Sequence, residues 1–462
     1  TVLLLMRKLI MPKFYRRETY IKRINKFRDE CELIKVLTGV RRCGKSTILH
    51  IVEDDLIREG INENNILYID LNKRPYKSIK TTDELENIIN EKFKNIEGIK
   101  YLFIDEIQNS PKTVALLRYF YEDRPDLYVI AAGSLLETML GKQISFPVGR
   151  VDFMLMHPCT FSEFLEAIGD SRFVPFVEQT NLPDIFHQQL MKLYSAYMLV
   201  GGMPEAVAKY AATRDVVGLG KIYGRIVESY VNDAEKYAIN RTQSEVIRYI
   251  LSEGWQLAGE TITLGGFAHS NYKAREVSEA LRALEKAMLL ELCYPITSAQ
   301  LPALSNLARS PKLFWLDIGL VNFVAKIQRE YLFSNQLMDV WKGRAVEQMV
   351  AQNIHALTFD VNYKNRFWVR NKKSSSAEVD FVYQIDNHLI PIEVKSGHNA
   401  HLKSLHLFMD ESSETVAVRV WTQPYSVDVV KTQNGKEFLL YNIPFYYIES
   451  LPKILQRAIY TE

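Results

Sequence analysis

The chain has 462 residues, which is too long for one ordinary hydrophobic core and suggests about three domains. Apolar residues make up 47% of the chain and charged residues 24%, the balance of a globular protein. A formal charge of only +2 excludes the strongly basic surface of a dedicated nucleic-acid-binding protein. No apolar stretch is long enough to span a bilayer, and the cysteines are widely separated, so we predict a cytoplasmic protein without a membrane partner.

The first part of the chain predicts a nucleotide-binding core. Residues 7–30 mix basic and aromatic side chains with helical spacing. They predict that the N-terminal segment, residues 1–31, packs on the following domain, with contact to nucleic acid or to a partner as the alternative. From 32 to 156, short apolar runs alternate with polar helical segments, which is typical of a parallel sheet covered on both faces. The apolar runs are LIKVLT, ILYIDL, YLFIDE, LYVIAAGS and VDFMLM. We therefore predict an α/β core over residues 32–156.

A phosphate-binding loop follows the first of these strands. Gly39 and Gly44 are separated by four residues and are followed directly by Lys45 and Ser46, where a helix is expected to begin. In this pattern the backbone N–H groups face phosphate oxygens, the lysine reaches the β- and γ-phosphates, and the serine binds Mg²⁺. We predict that ATP binds to a loop made of Gly39, Val40, Arg41, Arg42, Cys43, Gly44, Lys45, Ser46 and Thr47.

Acidic and polar residues at later strand ends complete the predicted ATP site. The strand YLFIDE ends in Asp105, which would hold Mg²⁺ through water, and Glu106, which would polarise the attacking water. Ser134 ends the next strand and either contacts the γ-phosphate or is a small residue at a turn. Arg150 either reaches the phosphates, in its own chain or in a neighbouring subunit, or forms a salt bridge within the domain. The set predicts Mg²⁺-dependent ATP hydrolysis.

The middle of the chain predicts two smaller domains. Residues 157–242 have helical spacing, interrupted at VGGMPE, and predict a helical lid. Residues 243–334 predict helices followed by two strands, which is the order of a winged helix-turn-helix. Its recognition helix would begin near Lys273 and Arg275. Because winged helices also serve as packing modules, contact with DNA is one of two alternatives.

Residues 335–462 predict a mixed α/β domain with the residue order of a PD-(D/E)XK nuclease. Asp380 on one strand, and Glu393 and Lys395 on the next, would meet in a hairpin. Glu347 on the preceding helix would join the two carboxylates around Mg²⁺ or Mn²⁺, and Glu378 is an additional candidate ligand. The lysine would activate a water molecule or stabilise the phosphate. The alternatives are solvent-facing charges, or a fold reused for binding without cleavage.

The chain resembles a known family through several segments together: the phosphate loop, FIDE, AAGS, PVGR, HPCTFSEFL and GGMPEAV. They are similar to prokaryotic (archaeal-type) AAA-family P-loop ATPases with a C-terminal domain of unknown function. The resemblance covers essentially the whole chain, and residues 147–165 are its most discriminating part. It implies an AAA+ core with strand order 5-1-4-3-2, a helical lid, a winged helix, and a C-terminal domain of restriction-endonuclease-like type. AAA+ cores often form rings, so a homo-oligomer is an additional expectation.

The predicted function follows from combining these segments. We predict an ATPase whose hydrolysis of ATP controls a DNA-directed winged-helix and nuclease-like module. One alternative is a regulatory or signalling NTPase switch whose C-terminal domain binds a partner without cleaving nucleic acid. Another is a DNA-binding adaptor with slow or absent hydrolysis.

Overall fold

The computed structural model describes residues 16–26, 33–79, 81–134, 151–327, 339–371, 377–396 and 402–460. The chain divides into two compact units. The first lies within Thr1–His157, Lys286–Met288 and Phe359–Val361, and the second within Pro158–Glu285, Leu289–Thr358 and Asn362–Glu462. The segments predicted as lid, winged helix and C-terminal domain fall almost entirely in the second unit, so the boundaries between them stay predictions. Within the described residues, every helix is too short or too polar to cross a membrane.

The first unit contains a five-stranded parallel sheet with the spatial order β2-β3-β4-β1-β5. This is the predicted order read from the other edge, and it confirms the α/β core of AAA type. The strands are β1 (Ile34–Gly39), β2 (Ile66–Asp70), β3 (Lys100–Asp105), β4 (Leu127–Gly133) and β5 (Val151–Met156). The helices are α1 (Glu18–Lys26), α2 (Lys45–Arg58), α3 (Thr82–Lys92) and α4 (Pro111–Asp123).

Burial explains both the sheet and the place of the site. Every residue of β1, β3 and β4 is buried, as expected for central strands covered on both faces. Because β3, β4 and β1 are neighbours and parallel, their carboxyl ends meet at one edge of the sheet. Open α/β sheets bind ligands at this edge. The phosphate loop begins at the last residue of β1, Asp105 is the last residue of β3, and Ser134 directly follows β4.

The second unit begins with helices and continues into strands. Its helices are α5 (Phe161–Ala167), α6 (Val174–Gln179), α7 (His187–Val200), α8 (Pro204–Thr213), α9 (Gly220–Tyr237), α10 (Arg241–Glu253), α11 (Ala274–Lys286), α12 (Ile318–Val324), α13 (Asp339–His355), α14 (Lys403–Glu411) and α15 (Leu451–Tyr460). Its strands are β6 (Leu290–Cys293), β7 (Pro295–Ile296), β8 (Lys312–Trp315), β9 (Phe367–Val369), β10 (Glu378–Val379), β11 (Phe381–Ile385), β12 (His388–Val394), β13 (Val416–Trp421), β14 (Ser426–Lys431) and β15 (Glu437–Pro444).

A helical pair and a small antiparallel sheet occupy the segment predicted as a winged helix. Strands β6 and β8 pair over four residues each, and Thr261 bridges to the other side of β8 at Lys312. Two buried indoles stack beneath them, since the rings of Trp255 and Trp315 lie 3.8 Å apart. The order α10, α11, β6, β8 is the predicted order, while its role as a winged helix stays a prediction.

The C-terminal segment forms a mixed sheet with the order β11-β12-β13-β15-β14. Its edge strands β11 and β14 run antiparallel to their neighbours, and the three central strands are parallel. A separate three-stranded sheet has the order β10-β9-β7. The predicted mixed α/β segment is therefore present, with β10 and β11 separated by a single residue, Asp380.

The glycines of VGGMPE serve a close approach between α7 and α12. Gly202 donates its N–H to the buried carboxylate of Asp317 at 2.6 Å. A Cβ atom at Gly201 would lie 2.5 Å from the same carboxylate, and one at Gly202 would lie 2.3 Å from the carbonyl oxygen of Cys159. Side chains are excluded at both positions, which explains why the helical pattern breaks there.

Candidate functional site

Two glycines shape the phosphate loop between β1 and α2. Gly39 has a φ of +144°, and a Cβ atom there would lie 2.5 Å from the carbonyl oxygen of Met156. Gly44 has a φ of +101° and directly precedes α2. A left-handed backbone disfavours side chains at both positions. The loop leads into the first turn of α2, where N–H groups lack acceptors within the helix and suit an anion.

Lys45 lies directly on this loop. It is the first residue of α2 and is buried. Its ammonium donates to the carbonyl oxygens of Gly39 at 3.0 Å and Val40 at 2.9 Å. A buried ammonium needs such partners, and here the loop itself supplies them. The ammonium that is predicted to contact phosphate therefore lies at the N-terminal end of α2.

An arginine from the N-terminal segment braces the loop. Arg17 is buried, and its Nη1 donates to the carbonyl oxygens of Cys43 at 3.1 Å and His157 at 2.9 Å. Its guanidinium also lies over the ring of Tyr20, 4.6 Å from the centroid. The N-terminal segment thus contacts the loop backbone, which sequence reasoning missed because Arg17 is one of many basic residues in that stretch.

The acidic pair at the end of β3 lies in two different environments. Asp105 is buried, and its carboxylate accepts from the Tyr68 hydroxyl at 3.1 Å and from the N–H of Glu106 at 2.9 Å. Burial and the charge of Asp105 raise the pKa of Tyr68, so this hydroxyl remains a donor. Glu106 has a φ of +55°, a conformation that few non-glycine residues adopt. The turn gives the two consecutive carboxylates different surroundings.

Gln108 joins Glu106 to Ser134. Its Nε2 donates to the carboxylate of Glu106 and to the hydroxyl of Ser134, the latter at 3.1 Å. Gly133 leaves room for this side chain, because a Cβ atom there would lie 2.5 Å from Gln108 Oε1. Sequence reasoning missed Gln108, since only the short turn of helix after Glu106 returns its amide to the acid.

Two buried polar atoms near this edge are left without hydrogen-bond partners among the described residues. They are the hydroxyl of Thr38, just before the loop, and Oε1 of Gln108. Buried polar groups normally have partners, so these atoms fit a site that a ligand or water completes. Together with the glycine-shaped loop and Lys45, they fit a nucleotide with Mg²⁺.

The other predicted residues of the loop are placed as follows. Ser46 and Thr47 lie in the first turn of α2 and are half-buried. Arg41 is half-buried, while Arg42 is exposed with a φ of +69°. Arg150 lies outside the described residues.

The second predicted constellation also comes together. Strands β11 and β12 form an antiparallel hairpin whose end brings Asp380 beside Glu393. Asp380 accepts from the N–H of Val394 at 2.8 Å. The ammonium of Lys395 lies 2.7 Å from the carboxylate of Glu393, which is itself buried.

Lys312, the first residue of β8, enters this cluster from the neighbouring small sheet. Its ammonium lies 2.9 Å from Glu347, 2.6 Å from Glu378 and 3.9 Å from Asp380. Its side chain is only 4% exposed, and its ammonium nitrogen lies 5.1 Å from the ring centroid of Phe367. Lys312 therefore fills the space among three of the carboxylates. No sequence signal indicates that Lys312 belongs to this cluster, because it lies 68 positions before Asp380 in the chain.

Electrostatics in the cluster follow from burial and from an excess of carboxylates. Burial raises the pKa of Glu347 to about 7 and that of Glu393 to about 8. Burial also raises the pKa of Asp380. Burial alone would lower the pKa of Lys312, but the surrounding carboxylates raise it above its usual value. The ammonium therefore stays charged while the acids hold protons more readily.

The arrangement does not fit the predicted divalent metal. Across the part of the chain that the structure describes, no group of three or more His, Cys, Asp or Glu side chains has the geometry to hold a metal ion. The structure brings Glu347, Asp380, Glu393 and Lys395 to one place, but an internal ammonium lies among the carboxylates.

Comparisons with known families agree with the geometry of the first site. Residues 32–165 match the family described as AAA domain. Residues 191–331 and 342–439 match two families, each described as a domain of unknown function (DUF8612 and DUF4143). The first match agrees with the sheet order and with the loop after β1, and together they support a P-loop domain of the AAA type within residues 32–165.

Individual relatives add little about function. An uncharacterized protein of Haemophilus influenzae is 29% identical over 316 residues, which is 66% of this chain and 72% of the relative.

Several solved structures are similar only weakly. PCH-2 of C. elegans has a TM-score of 0.30 and 13% identity, over 43% of this chain and 62% of that one, so this chain spans less than two thirds of it. ORC1 of Aeropyrum pernix, solved in complex with DNA, has a TM-score of 0.30 and 13% identity, over 70% and 95% of the chains. AMPPCP-bound DnaA from Aquifex aeolicus has a TM-score of 0.28 and 11% identity, over 59% and 88%. Likenesses this weak carry no argument about activity or partners.

Proposed function

We propose that this chain hydrolyses ATP in the presence of Mg²⁺ and uses the nucleotide cycle to control a DNA-directed module in its second half. The observation that carries the proposal is the convergence of three strand ends. The phosphate loop begins at the end of β1, the acidic pair begins with the last residue of β3, and Ser134 follows β4, with Gln108 joining two of these groups.

Each residue has a proposed role in the reaction. Lys45 and the N–H groups at the start of α2 would bind the phosphates. Ser46 and Asp105 would hold Mg²⁺, which when bound neutralises charge on the phosphates. Glu106, oriented by Gln108, would accept a proton from the attacking water at its carboxylate. Ser134 would donate to the terminal phosphate or position that water.

Arg150 is proposed to approach the phosphates either in its own chain or from a neighbouring copy. Mixing Arg150→Ala chains with Glu106→Gln chains distinguishes the two arrangements. If the arginine acts from a neighbouring copy, the mixture should regain part of the turnover that each variant lacks alone. If it acts within its own chain, the mixture should stay inactive.

The hydrolysis proposal is tested by phosphate release from ATP with Mg²⁺. Wild-type protein should turn over ATP, while Lys45→Met should bind ATP more weakly and Glu106→Gln should keep binding but lose turnover. Full turnover by folded Glu106→Gln protein would remove Glu106 from its proposed role. Full turnover by Lys45→Met would show that the hydrolysing site lies elsewhere.

Contact with DNA is proposed for the N-terminal end of α11. Lys273 and Arg275 are exposed there, and Arg275 makes an ion pair with Glu279 at 2.9 Å. The two-helix and two-strand order around this end supports the proposal. Arg241 and Glu245 on α10 form a closely similar pair at 3.0 Å, so Arg241→Glu is a matched control.

The DNA proposal is tested by fluorescence anisotropy with labelled duplexes, with and without ATP. Lys273→Glu combined with Arg275→Glu should weaken binding and reduce its salt dependence, whereas Arg241→Glu should do neither. Equal binding by all three proteins would contradict contact through α11.

A second candidate is a regulatory NTPase switch whose C-terminal module binds a partner without cleaving nucleic acid. The observation in its favour is the ammonium of Lys312 among the predicted metal-binding carboxylates. Incubating wild-type protein with DNA and RNA, ATP, and either Mg²⁺ or Mn²⁺ separates the two candidates. Cleavage that Asp380→Ala abolishes would support the nuclease-like form, and intact substrates would support the switch.

A further inference from the structure

Lys312 and the carboxylates around it form a buried ionic cluster in the second unit. We propose that Lys312 is the resident cation of this cluster and takes the place that a divalent metal would need, so that the C-terminal segment works as a non-cleaving module. The inference rests on the proposed function in one respect, since it favours the non-cleaving form of the C-terminal segment over the nuclease-like form. It does not depend on ATP hydrolysis, and its test requires no nucleotide.

The position of the ammonium is set by paired backbone rather than by a flexible loop. Lys312 pairs with Cys293 of β6 on one side and bridges to Thr261 on the other. The next residue, Leu313, donates to the carbonyl oxygen of Glu260 at 2.9 Å and accepts from the N–H of Gly259 at 2.8 Å. With its strand held from both sides, Lys312 delivers its side chain to one fixed place.

The same three carboxylates cannot serve Lys312 and a divalent ion together. The ammonium is within hydrogen-bonding distance of Glu347 and Glu378 and lies 3.9 Å from Asp380. A metal shared by Glu347 and Asp380 would have to sit about 2.0–2.6 Å from their oxygens. Such an ion would lie against a positive charge of the protein in nearly the same space, and both electrostatics and volume oppose it.

Glu393, the remaining acid of the cluster, does not provide a metal site by itself. One oxygen of Glu393 is bound to Lys395 at 2.7 Å. Its other oxygen is buried without a hydrogen-bond partner among the described residues, so it is the one oxygen of Glu393 left to bind a metal. Divalent ions such as Mg²⁺ demand several oxygens in near-ideal geometry. With Lys312 in place, Glu393 supplies one.

The arrangement also differs from a surface ion pair. The side chain of Lys312 is 4% exposed, and exposed pairs are the ones that exchange readily with water and salt. Removing one partner of a buried pair leaves an uncompensated charge. Loss of the ammonium should therefore leave the carboxylates with uncompensated negative charge. This charge should favour the binding of another cation, which provides the test.

The experiment is a titration of the full chain with Mn²⁺, followed by electron paramagnetic resonance, in the absence of nucleotide. Wild-type protein should show no Mn²⁺ site that depends on Asp380. Lys312→Met should gain one, with affinity at least tenfold above wild type. Adding Asp380→Asn to Lys312→Met should remove it. A second variant, Lys312→Met with Glu378→Gln, removes one negative charge together with the ammonium and keeps Glu347, should the single variant fail to fold.

Two controls separate the ammonium from general effects. Lys312→Arg keeps the charge and should gain no site. Lys100→Met removes another buried lysine, which is ion-paired with Asp126 at 2.6 Å in the first unit, and should also gain none.

Three results would overturn the proposal. The first is Mn²⁺ binding by wild-type protein that Asp380→Asn abolishes, and this measurement stands even if every Lys312 variant is unstable. The second is a folded Lys312→Met variant, with or without Glu378→Gln, that gains no Mn²⁺ site. The third is an equal gain in Lys312→Arg, because the charge would then be irrelevant.

Discussion

Replacing Gln108 by alanine removes the amide that joins Glu106 to Ser134. Both hydrogen bonds come from one nitrogen, and the acceptor on Glu106 is a carboxylate. A hydrogen bond to a charged group contributes about 1.5–3 kcal/mol. If that energy orients Glu106 toward the attacking water, turnover should fall by about 10- to 150-fold, since each 1.36 kcal/mol is a factor of about ten. Nucleotide affinity should stay within about twofold, because Gln108 holds the acid rather than the phosphate loop.

The assay is steady-state phosphate release with Mg²⁺ and ATP, paired with a binding titration of a fluorescent ATP analogue. Gly133→Ala provides an independent perturbation of the same side chain. Its methyl group would meet Gln108 Oε1 at 2.5 Å and displace the amide, so it should lower turnover to a similar degree. In the double variant the truncated side chain no longer meets the methyl group, so the two losses should not add.

Either of two outcomes would refute this reasoning. Faster turnover in Gln108→Ala would mean that the glutamine restrains Glu106 rather than orienting it. Fully additive losses in the double variant would mean that Gly133→Ala acts through something other than Gln108. Thermal unfolding of each variant checks that the core remains intact.

Other predictions follow from the same structure. Lys45→Met should weaken ATP binding by about 10- to 150-fold, the range for charge-assisted hydrogen bonds, and an unchanged titration with a fluorescent analogue would contradict its placement. Trp255→Ala removes a fully buried ring that stacks on Trp315 and should cost about 3–5 kcal/mol, measured as a lower denaturation midpoint with an unchanged slope. Burial raises the pKa of Asp317 to about 6, so its contribution to stability is greatest below about pH 4 and is lost as the pH rises through about 6. The difference in unfolding free energy between wild type and Asp317→Asn should therefore shift against wild type by on the order of 3 kcal/mol from pH 4 to pH 7, and a pH-independent difference would contradict the burial argument.

The sequence alone determined the first unit well, because its signals are local. A phosphate loop is read from residues adjacent in the chain, and its glycines are needed for backbone conformations that the structure shows at Gly39 and Gly44. Continuous apolar runs predicted buried parallel strands, and the strand order follows from the resemblance and is confirmed. The placement of Asp105 and Glu106 also follows, since carboxyl ends of parallel strands share one edge.

Tertiary structure decided the residues that act across distance in the chain. Gln108 lies two positions after Glu106 in the sequence, but it takes the left-handed turn at Glu106 and the short turn of helix after it to bring its amide back to that acid. Arg17 reaches the phosphate loop from a segment whose composition predicted packing on the core, or contact with nucleic acid or a partner, but no contact with this loop. In both cases the contact depends on the direction of one side chain, which residue type and spacing do not encode.

The carboxylate cluster shows the same limit most clearly. Spacing predicted that Asp380, Glu393 and Lys395 meet, because a hairpin brings nearby residues together. Lys312 comes from a different sheet, and its position depends on how β8 packs against α13 and the β9–β10 strands. A pattern of acids in sequence predicts negative charge at a site. Only the folded chain decides whether a metal or one of the protein's own ammonium groups neutralises that charge.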